Sequence, residues 1–156
     1  MADKTPDSFY QTVGFHFSVE FSTIPADSID VRFQSVAGLD SSMNTENLKE
    51  GGENRFEHVL PTRRKYGPLV LKRGLLKPAE SKLTSWLKKA FDDEIIDVIP
   101  TVTILLLGEN HKAIMKWTIN NVWPRSWKVG ELNAERGEVL IETLELNYNR
   151  LLYQNP

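Results

Sequence analysis

Hydrophobic and polar residues alternate with a period of two over most of this 156-residue chain. Phe15, Phe17, Val19 and Phe21 alternate with His16, Ser18, Glu20 and Ser22, the pattern of a strand with one buried and one wet face. Ile29, Val31 and Phe33 repeat it, ending at Ala37-Gly38, and Phe56 to Leu60 and Leu69 to Lys72 predict two further short strands. Thr101 to Leu107 is β-branched and then apolar on both parities, which predicts a central strand covered on each side. A turn at Gly108-Glu109-Asn110-His111-Lys112 leads into Ala113, Met115, Trp117 and Ile119, which alternate again and predict a hairpin with the preceding strand. Val139 to Tyr148 supplies a last long strand. One segment departs from the rule: Leu83, Trp86, Leu87, Ala90 and Phe91 fall at helical spacing after Pro78, a residue suited to a helix start. The expected fold is therefore mainly β, an antiparallel β-sandwich or barrel with one packed α-helix on its side.

Segment 40 to 55, DSSMNTENLKEGGENR, stands apart as long, polar and glycine-hinged. It predicts a long extended loop, and loops of that length without structure of their own are usually functional or disordered. The whole chain, 1–156, reads as a single domain with an N-terminal tail at 1–13, because a chain of this size buries enough surface for one ordinary core. With 40% hydrophobic and 26% charged residues the composition is that of a soluble globular protein. The net charge of −2 leaves no global basic field to draw the chain onto nucleic acid or anionic lipid. The absence of cysteine excludes disulfides, zinc–thiolate sites and cysteine nucleophiles, and fits a reducing cytosol. The start, MADKTPDSFYQT, lacks the basic and apolar regions of a signal peptide, and the run around Ile104 to Leu107 is too short to span a bilayer.

Candidate chemistry is sparse. His16, His58 and His111 fall on different expected elements without metal-site spacing, and read as surface or hydrogen-bonded histidines. Asp92-Asp93-Glu94 lacks the alternation and central glycine of a calcium loop and reads as a solvated helix end. Ser85-Trp-Leu-Lys88 matches a serine–lysine nucleophile pattern, but its companion motifs are missing and such a pair is commonplace on an amphipathic helix. Glu142 and Glu145 have opposite parity on a regular strand, so they are expected to face opposite sides and cannot act as an acid–base pair without a bulge. No catalytic, cofactor-binding or metal-binding residue is expected. Arg63-Arg64-Lys65-Tyr66 and Lys72-Arg73 form a basic cluster beside an aromatic, read as a solvated or partner-facing patch; single-strand binding is the alternative.

Three of the four tryptophans lie in WTINNVWPRSW, 117 to 127. Trp117 has the apolar parity of its strand and is expected in the core. Pro124 cannot donate to a sheet ladder and marks an edge or bend. Trp123 is expected to pack into the core there and Trp127 to lie closer to the surface, with stacking on sugar as the alternative use of these rings.

The ordered motifs SVAGLD (35 to 40), EGGENRFEHVLP (50 to 61), KYGPLVLKRG (65 to 74), a helix containing Trp86, VTILLLGENH (102 to 111) and WTINNVWPRSWKVGELNAERGEVLIETLELNY (117 to 148) closely resemble the tail-tube proteins of contractile phages. They also resemble the inner-tube proteins of contractile injection systems, and the EGGENRF spelling is most similar to tube proteins of extracellular, phage-derived injection particles. The likeness runs from Phe15 to Tyr148. It implies a homo-hexameric ring of β-sandwich subunits, rings stacked into a hollow tube, a sheath protein outside, and baseplate or spike hub and terminal cap proteins at the ends. It further implies a lumen that carries an effector protein or DNA, assembly in the bacterial cytoplasm, and then a place in a phage tail or a released, extracellular or membrane-anchored particle. It implies no catalysis and no membrane insertion by this chain. In such an assembly the arm 40–55 would reach a neighbouring subunit, with Glu46, Lys49, Glu50, Gly51, Gly52, Asn54 and Arg55 as contact residues. From the residues alone, a small monomeric β-barrel that binds nucleic acid or carbohydrate is the second reading.

Overall fold

The computed structural model describes residues 16–25, 30, 32–49, 51–52, 57–135 and 137–156. Along these run β1 (Phe17–Phe21), β2 (Ser35–Ala37), β3 (Ser41–Leu48), β4 (His58–Tyr66), β5 (Leu69–Gly74), α1 (Lys82–Asp92), β6 (Ile99–Leu107), β7 (Ala113–Val129), β8 (Ile141–Asn147) and β9 (Arg150–Gln154). Every pairing among them is antiparallel. Phe15, Ile29, Val31 and Phe56 lie outside the described residues, while Phe33 packs against the core just before β2.

The 17-residue β7 joins two sheets. Its first half pairs with β6 and β9, and β6 pairs in turn with β1; its second half pairs with β8, which continues to β5 and β2. The handover needs local irregularity. Asn121 takes a left-handed φ of 55°, and the register slips between Pro124 and Ser126 opposite Leu146 and Glu145. Pro124 offers no N–H to the ladder, which suits a residue beside a bulge. The extra residue reverses side-chain parity downstream. Trp127 is thereby brought opposite the buried Leu144 and packs against the core, its Nε1–H donating to Glu142 Oε2 at 2.7 Å. The expectation that Trp123 would be the core indole and Trp127 the more superficial one is reversed by this bulge. Trp117 does pack against the core, edge-on to Tyr153 with ring centroids 6.3 Å apart, although its buried indole N–H finds no acceptor among the described residues.

Between the sheets lies one apolar cluster. Val19 and Phe21 from β1, Leu69 and Leu71 from β5, Val102 and Ile104 from β6, Ile119 and Val122 from β7, and Leu144 and Leu146 from β8 are all buried in it. Leu83 and Leu87 of α1 complete it, each contributing about 2–3 kcal/mol by burial. Phe17 and Trp86 are only partly buried, and Phe91 is exposed. The helix starts at Lys82 rather than at Pro78, because the Ser81 hydroxyl accepts the free Thr84 N–H at 3.0 Å and caps it. Asp93 caps the other end, and Asp92, Asp93 and Glu94 are solvated as expected. β9, unforeseen from the sequence pattern, adds a strand beside β7 and brings Tyr153 Oη to donate to Leu39 O at 2.9 Å. No helix among the described residues is long and apolar enough to cross a membrane.

Candidate assembly surface

The expected loop at 40 to 55 is, for its first half, a strand. β3 and β4 pair from Ser41↔Tyr66 to Leu48↔His58 and form a separate two-stranded sheet. Polar residues do not prevent strand formation when a partner strand satisfies the backbone, and the nine-residue β4, longer than the pattern suggested, provides it. A slip between Met43 and Thr45, opposite Arg64 and Pro61, accommodates the proline, and Thr62 Oγ1–H donates to Asn44 O at 3.0 Å. Toward the tip Glu57 receives Asn47 Nδ2–H at 3.3 Å and lies 3.5 Å from Lys49 Nζ.

The root of this hairpin is tightly specified. Gly38 has φ +84°, and a Cβ there would stand 1.9 Å from Pro68 O. Only glycine tolerates both conditions. Tyr148 packs on Tyr66 with centroids 5.6 Å apart, and its hydroxyl donates to Gly38 O at 3.4 Å. Burial first, then the Asp40 carboxylate and the neighbouring Tyr153 and Tyr66, push the Tyr148 phenol up to about 12.

Beyond the root the hairpin is bare. All of β3 and every residue of β4 except Tyr66 are exposed, including Met43, Leu48, Val59 and Leu60. Register places Val59 with Asn47 and Met43 on one face, and Leu60 with Glu46 on the other, so apolar side chains meet water on both faces. An isolated two-stranded hairpin is marginal in water, and this one exposes aliphatics on both faces.

Of the residues expected at subunit contacts, Glu46 lies on β3, Lys49 at its end and Gly51 and Gly52 in the turn, where Gly52 has φ +104°. Glu50, Asn54 and Arg55 lie outside the described residues. The basic cluster divides: Arg63, Arg64, Lys65 and Lys72 are exposed, but Arg73 is buried. Its guanidinium donates to Glu142 Oε1 at 2.5 Å, Asp30 Oδ1 at 3.0 Å, Ser81 Oγ at 3.1 Å and Thr84 Oγ1 at 2.7 Å, and stands over the Phe33 ring. Asp30 also receives the Ser81 hydroxyl and the Lys82 N–H at the start of α1. Burial acts to raise the Asp30 pKa, but the hydrogen bonds from Ser81, Arg73 and Lys82 outweigh it and hold the carboxyl below its ordinary 3.8. This network ties helix, loop and second sheet together. The clue in the sequence was parity: Arg73 follows Leu69 and Leu71 on the inward face, and Glu142 precedes Leu144 and Leu146 on theirs.

The Ser85 hydroxyl donates to Pro78 O at 2.8 Å, and Lys88 is exposed. Glu145 does face away from Glu142, and pairs with Lys128 at 2.8 Å. That hydrogen bond, partly offset by burial, lowers the Glu145 pKa. His16 and His111, expected apart, meet edge to face with centroids 4.6 Å apart, because the β6–β7 turn folds back beside the start of β1. Among the described residues no group of three metal-ligating side chains comes together.

The described residues form an antiparallel sandwich with a long arm whose strands are exposed. The chain belongs to the family of the T4-like virus tail tube protein gp19, whose family model matches residues 13–152. It is a structural protein of the tail-tube and contractile-injection class. Among solved structures, it is 31% identical to a chain in the cryo-EM structure of the anti-feeding prophage (AFP) baseplate, 6-fold symmetrised, with a TM-score of 0.80 over 94% of this chain and 97% of that one. A chain of the PVC sheath–tube complex of an extracellular contractile injection system in the extended state shares the fold at 20% identity and TM-score 0.77, covering 96% and 95%. So does a chain of the AFP tube terminating cap, at 20% identity and TM-score 0.75 over 94% and 93%. No curated protein sequence matches.

Proposed function

We propose that this protein is the subunit of the inner tube of a contractile, phage-tail-like injection particle. Six copies close into a ring, rings stack into a hollow tube, and the tube works inside a sheath between a baseplate and a cap. The observation that carries this reading is the β3–β4 arm, exposed on both faces and anchored at a rigid root, in a chain of the tail-tube family. Edge strands β1, β2 and β9 supply further unpaired backbone that a ring of subunits would cover. Heterologous contacts around the ring close, and those along the axis do not, so the same subunit yields both ring and filament. The chain takes no catalytic part. It assembles in the bacterial cytoplasm and ends in an extracellular particle whose lumen carries the cargo.

A second reading has its own support: identity is 31% to a chain of a baseplate assembly against 20% to chains of a sheath–tube complex and a cap. It makes this chain the ring that starts the tube on the baseplate. Purified protein examined by sedimentation and negative-stain microscopy is expected to show six-fold rings or tubes. A strict monomer at high concentration would overturn both readings. Copy number per purified particle separates them, since a tube wall needs many rings and a starter needs one.

A further inference from the structure

Where α1 gives way to β6, four large apolar residues stand exposed within eight positions: Phe91, Ile95, Ile96 at 57% and Val98 at 50%. The segment is held in shape. The Asp93 and Ile95 N–H groups both donate to Lys89 O at 3.2 Å, Trp86 Nε1–H donates to Asp97 O at 2.7 Å, and Lys89 Nζ lies 2.6 Å from Asp97 Oδ2. Asp92, Asp93 and Glu94 adjoin it, exposed and without an ion-pair partner among the described residues. Their placement runs against two local preferences. Carboxylates sit at the negative end of the helix dipole, where cations are favoured, and Glu94 holds a left-handed φ of 56° just past the cap, the position that glycine usually fills. The helix of a lone subunit is less stable for carrying acids at these positions.

The other end of α1 has the opposite character. Pro78, Ala79, Glu80, Ser81, Lys82 and Ser85 line a hollow of about 400 Å³, shaped by the Ser85 hydroxyl donating to Pro78 O at 2.8 Å. Lys77 and Lys82 are exposed cations there, and the helix adds the positive end of its dipole. Two acids stand against them. Glu80 lies 4.0 Å from Lys77, and Asp30, which accepts the Lys82 N–H, is buried and already paired with Arg73. The exposed surface is therefore net basic, with Pro78 and Ala79 as its apolar floor. Eleven helical residues put about 16 Å between this hollow and the acidic end, so the two cannot meet within one copy.

We propose that α1 joins copies of this chain head to tail, the acidic, apolar end at 91–98 of one copy docking on the basic hollow at the start of α1 in the next. Asp92, Asp93 and Glu94 face Lys77 and Lys82, and Ile96 and Val98 lie against Pro78 and Ala79. The acids then stand beside a positive helix end as well as a negative one, which offsets their cost to the subunit. The two surfaces differ, so the contact is heterologous and repeats from copy to copy. It rests on the reading that copies of this chain assemble. Apolar contact supplies affinity and the charges fix direction, and because those charges are exposed the contact weakens as ionic strength rises.

Two variants test it. One reverses the acidic end (Asp92→Lys, Asp93→Lys, Glu94→Lys) and the other the basic end (Lys77→Glu, Lys82→Glu). Below the association concentration each is expected to melt no earlier than wild type, because its charges now suit its own helix dipole. Where wild type assembles, each variant alone opposes like charges and is expected to stay dispersed. Mixed in equal amounts, every acidic end again meets a basic one, and assemblies in which the two forms alternate are expected. Assembly by either variant alone, or a mixture that stays dispersed, overturns this contact while the assembly reading stands on wild type. Wild type that never assembles sinks that reading instead. Should a variant unfold, a carbodiimide applied to wild-type assemblies decides. It is expected to join Lys77 or Lys82 of one copy to an acid at 92–94 of another, and inter-subunit links that all avoid these ends overturn the contact.

Discussion

Arg73 and Glu142 face each other across adjacent strands β5 and β8, with 1% and 0% of their side chains exposed and the guanidinium Nε 2.5 Å from the carboxylate. Together with Asp30 they bury one positive and two negative charges. The excess negative charge is met by the Trp127 N–H, by the Ser81 hydroxyl and by the N–H of Lys82, where the positive end of the α1 dipole adds its field.

Breaking this group from its centre is expected to be severe. Arg73→Met leaves two carboxylates buried without their cation, and a loss of about 3–5 kcal/mol is expected. Glu142→Gln keeps one acceptor oxygen for Arg73 or Trp127 and turns an N–H donor toward the other, while Arg73 keeps Asp30, so the loss should be smaller, about 1–3 kcal/mol. Urea melts of the two variants check the order, and an Arg73→Met protein as stable as wild type would show that the network is dispensable.

Stability should fall at both ends of the pH scale for separate reasons. Asp30 has a folded pKa below its ordinary 3.8, so its contribution is fully present above that value and is lost as pH falls through the folded pKa. Tyr148, pushed up to about 12 from 10.0, is held neutral in the fold; its contribution is complete below 10.0 and declines as pH rises toward 12. Thermal midpoints across pH should show both limbs, with Asp30→Asn flattening the acid one and Tyr148→Phe the alkaline one.

Gly38→Ala is expected to damage the arm's root rather than the core. The left-handed φ alone costs about 1–2 kcal/mol for a residue with a Cβ, and the approach to Pro68 O forces the backbone apart. Limited proteolysis should cut the variant faster within 41–66 than wild type, and an unchanged digestion pattern would argue against the root as a rigid anchor.

Replacing Asn44 to Thr62 by a short glycine turn should abolish tube growth and spare the sandwich. The side chains of β3 and β4 within this segment are exposed and the buried cluster contains none of them, so the far-ultraviolet signature of the remaining sheets should persist. Normal tubes from this deletion, or an unfolded monomer, would show that the arm is not an assembly element.

Local pattern determined much of this protein. Alternation at Phe17 to Phe21 and Val139 to Tyr148, the short run Leu69 to Lys72 and the β-branched, apolar run Thr101 to Leu107 located four strands, and the 3.6-residue spacing of Leu83, Leu87 and Ala90 located the helix, because each element carries its own apolar side chains to the core. The motifs from SVAGLD to IETLEL indicated the family, which the match over residues 13–152 bears out. Tertiary structure decided what depends on partners far along the chain. Ser41–Leu48 is a strand because β4 hydrogen-bonds to it, although no buried face announces one. Trp127 rather than Trp123 reaches the core because a single bulge after Pro124 reverses parity. Arg73 is a core residue because Asp30 and Glu142, 43 and 69 positions away in sequence, converge on it. Side-chain periodicity reports which way a residue points, but whether a charge that points inward is tolerated depends on the charges that meet it there.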